Sequence, residues 1–153
     1  MREQPRKYAA TIAHPFESCV LKPYHDPVGY PTIGWGHLLS YEKWADLSKW
    51  DHLNPITQEY ADDLFDHDLL KAQSQMLRLI DFELTARQEG AILDFVFNVG
   101  SGNFQGSTLR RVINRKDFDG VPTQLMRWVK AGGITLRGLV RRRQAEVNMW
   151  NID

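Results

Sequence analysis

The sequence predicts an α+β fold, mainly α, with a small N-terminal β-sheet and a helical C-terminal lobe joined by a long helix. Three observations carry this expectation. Between Lys22 and Leu39 the helical periodicity breaks down into a stretch punctuated by Pro and Gly. From Thr57 to Leu79 an apolar stripe recurs at helical spacing over about 20 residues, long enough to span ~30 Å. Beyond it, paired helix-start and helix-stop residues divide the rest of the chain into shorter helices. A length of 153 residues fits one domain, or two small lobes sharing a core.

In order, Tyr8, Ile12, Phe16 and Val20 recur at helical spacing and predict a helix over about 7–20, bent near Pro15, which lacks a backbone donor. Residues 22–39 read as a small, irregular β-region. Asp26-Pro27-Val28-Gly29 supplies turn chemistry there, and Gly34 and Gly36 flank Trp35. Residues 40–55 read as a loop with a helical turn or two and carry Trp44 and Trp50. Thr57 is a good N-cap, with Glu59 in the first turn of the long helix. Ala61, Leu64, Phe65, Leu69, Ala72, Met76 and Leu79 trace its apolar face.

Thr85-Ala-Arg-Gln88 is a capping box, opening a helix that ends at Gly100. The apolar positions of that helix run almost all the way round, which predicts a central buried helix. Ser107 starts another helix toward Asn114, a further one is expected from about Pro122 to Ala131 with Gly132-Gly133 as its stop, and the last covers about 136–149.

Charge is balanced, with 19 basic and 19 acidic residues, but unevenly placed. Gln105 to Trp150 holds ten Lys/Arg against three Asp/Glu, an excess that could meet an anionic polymer or simply form solvated helix faces. Arg141-Arg142-Arg143 are consecutive, so on a helix they fan across faces; a nucleic-acid binder therefore ranks last among the readings. The single cysteine, Cys19, excludes an intramolecular disulfide and reads as a packing residue. No apolar run approaches the ~20 residues of a membrane span, and no export signal is recognisable, so stable membrane insertion is not expected. The five histidines include no metal-ligand spacing, and neither metal nor cofactor is expected.

The chemistry concentrates between Phe16 and Leu39. Glu17 and Asp26 are separated by eight residues, and Asp26 and Thr32 by five. One carboxyl is expected at a helix end, the other near a tight turn, with a hydroxyl on the next strand. Two carboxyls in different environments are what glycosidic bond cleavage requires. Taken singly, the three are equally well a solvent-facing acid, a turn former before proline and a strand residue.

In-order matches along nearly the whole chain add to these three. Glu17, Asp26 and Thr32 fit without a gap the pattern of Glu, eight residues, Asp or Cys, five residues, Thr. Thr32-Ile-Gly-Trp-Gly-His-Leu-Leu39, then Ile56-Thr57 with Leu64-Phe65 and Asp68, then Arg87-Gln88 through Phe97-Asn98-Val99-Gly100, and Gly138-Leu139-Val140 with Glu146 follow in sequence. On these residues the chain resembles the phage-type lysozymes, muramidase endolysins of the T4-lysozyme type. The resemblance implies a single lysozyme-like catalytic domain with lobes of about 15–56 and 80–153 (plus the N-terminal helix), a linking helix over 57–79 and a cleft between the lobes. Ser18, where the family often has Gly, Pro15 and the segment 41–54 depart from its pattern.

The resemblance further implies hydrolysis of the β-1,4 bonds between N-acetylmuramic acid and N-acetylglucosamine in peptidoglycan, with inversion. Glu17 would donate the proton, Asp26 would stay ionised, and Thr32 would hold the water. Arg137 and Arg142 are both candidates to orient Glu17. His37 and Asp68 would form a structural ion pair that raises the folded-state pKa of His37. Tyr24, Gly36, Leu38, Phe97 and Asn98 are the expected substrate contacts, Asn98 because an amide can donate and accept to N-acetyl groups. The partner is the glycan strand and not nucleic acid; the protein is expected as a monomer, made in host cytoplasm without a signal peptide and acting on the cell wall after release. A lytic transglycosylase would need neither Asp26 nor Thr32, and a non-catalytic glycan-binding module would need neither carboxyl.

Overall fold

The computed structural model describes residues 1–152. The chain divides into two compact units, one made of Met1–Phe16 with Leu69–Asp153, the other of Glu17–Asp68. The division falls inside the longest helix.

In the Glu17–Asp68 unit, β1 (Val20–His25), β2 (Pro31–Gly34) and β3 (His37–Leu38) form an antiparallel sheet in that order. Its register pairs Tyr24 with Thr32 and Thr32 with Leu38, and on the next rung Ile33 with His37. Directly paired residues share a face of the sheet, so Tyr24, Thr32 and Leu38 make one row and Ile33 and His37 another. Ile33 is fully buried with Ile56 and Ala61 and anchors the unit's core, against which Leu21, Trp35, Leu53 and Leu64 pack. Gly34, at φ +65°, lets β2 lie close to Ala61; a Cβ there would come within 3.4 Å of the Ala61 Cβ. Residues Leu47–Leu53 form a 3-10 turn opened by the Asp46 side chain, which accepts from Ser48 N–H. α2 (Gln58–Leu77) then begins, with Thr57 Oγ1 accepting from Tyr60 N–H as the sequence predicts.

In the other unit, α1 (Gln4–Ala13) stops at Ala13, seven residues short of the expected end near Val20. Pro15 has no N–H to continue the ladder, so His14, still helical at φ −54° and ψ −41°, closes the helix, and Phe16 and Val20 fall outside it. α3 (Ala86–Val99) is the central helix. Its Thr85 capping box is formed in both directions, Gly100 closes it at φ +93°, and every residue from Glu89 to Val96 is buried. α1 crosses α3 at Gly90, where a Cβ would meet the Tyr8 Cβ at 2.6 Å. α4 (Ser101–Gln105), α5 (Thr108–Asn114, capped by Ser107) and α6 (Val121–Leu125) follow.

The helix expected from about Pro122 to Ala131 forms only in its first part. α6 ends at Leu125, and β4 (Lys130–Ala131) pairs with β5 (Ile134–Thr135) in a hairpin. Gly132 and Gly133 both have positive φ, +57° and +78°, which is the two-residue turn that a Gly-Gly pair favours. α7 (Arg137–Trp150) completes the unit.

Two buried polar networks hold this unit. In one, Arg6 donates to Gln73, Gln73 donates to Glu89, and Arg2 pairs with Glu89. In the other, Arg142 grips Asp94 through two hydrogen bonds of 3.0 and 2.8 Å, and Arg143 pairs with Glu146 at 2.8 Å and donates to Asn98 at 2.7 Å. Burial, then the adjacent Asp94 carboxyl, pushes the Glu146 pKa well up, while Arg143 and Arg142 pull it back.

Candidate functional site

Glu17, Asp26 and Thr32 all belong to the Glu17–Asp68 unit. Glu17 lies in a bend past the end of α1, not at the helix end that the sequence predicts. Asp26 follows β1 directly. Its Oδ1 accepts three backbone N–H groups, from Val28 at 3.0 Å, Gly29 at 2.8 Å and Tyr30 at 2.8 Å. This is an Asx-turn, and it is why the Asp-Pro-Val-Gly sequence orients the carboxylate. With Oδ1 so engaged, Oδ2 takes no part in the turn. Gly29 takes φ +106°, a conformation that L side chains rarely adopt.

Thr32 is 4% exposed. Its hydroxyl donates to the Tyr30 carbonyl at 2.7 Å, so its proton is committed and its lone pairs are free to accept. Tyr24 and Leu38, two of the expected substrate contacts, flank Thr32 in the same row of the sheet. The Tyr24 phenol is pushed up first by burial, then by the charges of Asp26, Glu17 and Cys19. Both carboxyls thus act electrostatically on one hydroxyl, which stays a neutral hydrogen-bond donor. Gly36, at φ +80°, sits in the turn between β2 and β3, with open space where a Cβ would lie.

Phe97 and Asn98 lie near the C-terminal end of α3, in the other unit. The side-chain carbonyl of Asn98 already accepts from Arg143, which turns its amide N–H groups to the task of donating. Of the two arginines considered for Glu17, Arg142 is buried, held by Asp94, and lies over the Phe16 ring at 5.9 Å. Arg137 is exposed, in the first turn of α7.

His37 Nδ1 meets the two Asp68 carboxylate oxygens at 3.1 and 2.9 Å. The hydrogen bond to Asp68 raises the His37 pKa, burial opposes this, and the Asp68 charge adds to the rise. This contact joins β3 to the middle of α2, where an ion pair between the two is expected.

Sequence reasoning missed the part played by residues 41–46. The indole of Trp44 packs on Gly29 and the ammonium of Lys43 lies over the Tyr30 ring at 5.2 Å, so this segment rests on the Asp26 turn. The only available signal was its unassigned tryptophan, Trp44.

An Asx-held carboxylate, a threonine hydroxyl with accepting lone pairs and a second carboxyl in the same unit are groups of the kind that glycosidic bond cleavage requires. The phage lysozyme family matches residues 14–146, and the chain belongs to that family. Over 131 residues it is 37% identical to the SAR-endolysin of bacteriophage PS119, covering 84% of this chain and 74% of that one. It is 32% identical over 136 residues to the SAR-endolysin of Escherichia phage Mu, covering 89% and 74%. Among solved structures, the muramidase domain of SpmX from Asticaccaulis excentricus superposes with a TM-score of 0.82 at 26% identity, covering 99% of this chain and 100% of that one. A P22 lysozyme mutant gives 0.73 at 27%, covering 91% and 92%. The chain is thus a lysozyme-class glycoside hydrolase acting on peptidoglycan. Among the described residues no helix is long and apolar enough to cross a membrane.

Proposed function

We propose that this protein is an endolysin that cleaves the β-1,4 bond between N-acetylmuramic acid and N-acetylglucosamine by inversion, with Glu17, Asp26 and Thr32 as its working residues. A water donates one hydrogen to the Thr32 oxygen, whose own proton is committed to Tyr30, and directs the other at Asp26 Oδ2. Its lone pair then faces the anomeric carbon. As positive charge develops there, the fixed negative charge of Asp26 stabilises it. Glu17 delivers its proton to the departing glycosidic oxygen, the C–O bond breaks, the water oxygen bonds to the anomeric carbon, and Asp26 takes up the water's proton. Tyr24, Gly36, Leu38, Phe97 and Asn98 contact the saccharide. The protein acts as a monomer on the cell wall, after synthesis in the cytoplasm of a phage-infected host.

The observation that carries this reading is the Asx-turn: three amides hold one oxygen of Asp26, and one of them belongs to Tyr30, whose carbonyl orients the Thr32 hydroxyl. The test is release of reducing ends from purified peptidoglycan by the wild type and by Glu17→Gln, with the products weighed by mass spectrometry. Losing a positioned general acid should slow release by roughly a hundredfold or more, and the wild-type products should carry the mass of one added water. Equal rates, or anhydro-sugar products, would overturn the assignment.

A further inference from the structure

Trp44 is 64% exposed, yet its position is tightly determined. Its backbone has φ +60°, a left-handed conformation that a bulky residue rarely adopts. The Trp44 N–H donates to the Gly29 carbonyl at 2.8 Å. The indole lies so close over Gly29 that a Cβ there would come within 2.5 Å of Cε2 and 2.6 Å of Nε1. The His25 ring supports it at 5.2 Å between centroids, tilted by 57°. His25 is itself held by its Nε2 at 2.8 Å from the Ala45 carbonyl. A strained backbone, a glycine seat and an anchored imidazole fix an aromatic ring whose larger part still faces water. An indole that only needed burial would not be held this way.

The seat is also part of the proposed catalytic apparatus. Gly29, on which the indole rests, donates its N–H to Asp26 Oδ1. His25, which supports it, is the last residue of β1 and precedes Asp26. The platform is therefore continuous with the turn that would face the sugar, and a polymer bound at Asp26 extends over its surroundings. A flat, apolar, electron-rich surface beside a saccharide site suits one occupant, the C–H face of a pyranose ring. Each pyranose presents such a face whatever its substituents, so the contact does not depend on reading an individual sugar.

We propose that Trp44 is a saccharide-stacking platform that binds a pyranose ring of the glycan strand beside the Asp26 turn. The proposal rests on the muramidase reading for the identity of the polymer. Rigid aromatic anchors of this kind give affinity at little conformational cost.

The experiment measures binding and turnover separately. Soluble, peptide-free glycan strands are titrated into Glu17→Gln and into the Glu17→Gln, Trp44→Ala double variant, with the indole N–H resonances followed by NMR. The Trp44 resonance, identified by its loss in the double variant, should shift on binding, and the double variant should bind about three- to tenfold more weakly. Trp44→Phe, which keeps a ring on the Gly29 seat, should recover most of that affinity. With Glu17 intact, Trp44→Ala should lower kcat/KM by the same factor through KM, as expected when a contact serves ground and transition state alike. Unchanged binding would overturn the platform. So would a fall in kcat with KM unmoved, because it would assign the indole only to holding the Asp26 turn. A wild type that binds strands but releases no reducing ends would overturn the hydrolytic reading and leave the platform to be decided by the binding data. Strands that do not bind Glu17→Gln at all would overturn both.

Discussion

Asp26 joins two tasks in one side chain. Its Oδ1 closes the turn from Val28 to Tyr30, and its charge is what the proposed chemistry uses. The tasks are separable. Asparagine offers the same carbonyl oxygen to the three amides but carries no charge, so Asp26→Asn should lose activity while its unfolding free energy stays within about 1 kcal/mol of wild type. Alanine at the same position would remove both. Urea unfolding beside a reducing-end assay distinguishes the two variants; a strongly destabilised Asp26→Asn would mean that the negative charge itself holds the turn. This residue was legible because Asp-Pro-Val-Gly is local turn chemistry. Asp94 was not. A lone acid within an apolar helix gives no local sign of its partner, and the arginine it grips stands 48 positions away.

At the scale of elements, helix starts were the most legible features. Thr57, Thr85 and Ser107 all cap as expected, because a cap is an interaction between residues two or three apart. Helix ends were less so. The period that carried the first helix to Val20 continued past Pro15, and Gly132-Gly133 reads equally as a helix stop or as a hairpin turn. Only the pairing of Lys130 with Thr135 decides the second case, and it makes a strand pair of what was expected as helix. The tie between β3 and α2 yields a measurable consequence. His37 has its folded pKa raised, so its contribution is fully present below its unfolded value of about 6.5 and is lost as pH rises through the folded value. His37→Asn should therefore cost about 1 kcal/mol at pH 5.5 and progressively less toward alkaline pH. Chemical denaturation across that range checks it, and two parallel pH–stability curves would dismiss the ion pair as a stabilising contact.

Across the whole molecule, the basic excess of the last third has a different meaning from the one charge counting offers. Arg142 and Arg143 are 3% and 0% exposed, so two of three consecutive arginines are internal and are answered by Asp94, Glu146 and Asn98. Such a network is costly to leave half-paired. Asp94→Asn, which strips the buried Arg142 of its ionic partner, should destabilise the protein by about 3–5 kcal/mol. A midpoint of denaturation unchanged from wild type would show that Arg142 finds another partner or reaches water. Alternation of helix and sheet announced the broad architecture because it is written in local periodicity. The networks that lock α3 to α7 depend on side chains far apart in sequence, and no period encodes them.

The interruption of one unit by the other sets an order of events on the ribosome. α1 emerges before α3, the surface it must cover, whose Gly90 receives it, and the whole contiguous Glu17–Asp68 segment is synthesised between them. That segment can close its short-range sheet while still tethered, whereas the N-terminal helix waits for a partner more than 70 residues downstream. During that interval the apolar side of α1 is what a nascent-chain chaperone would meet.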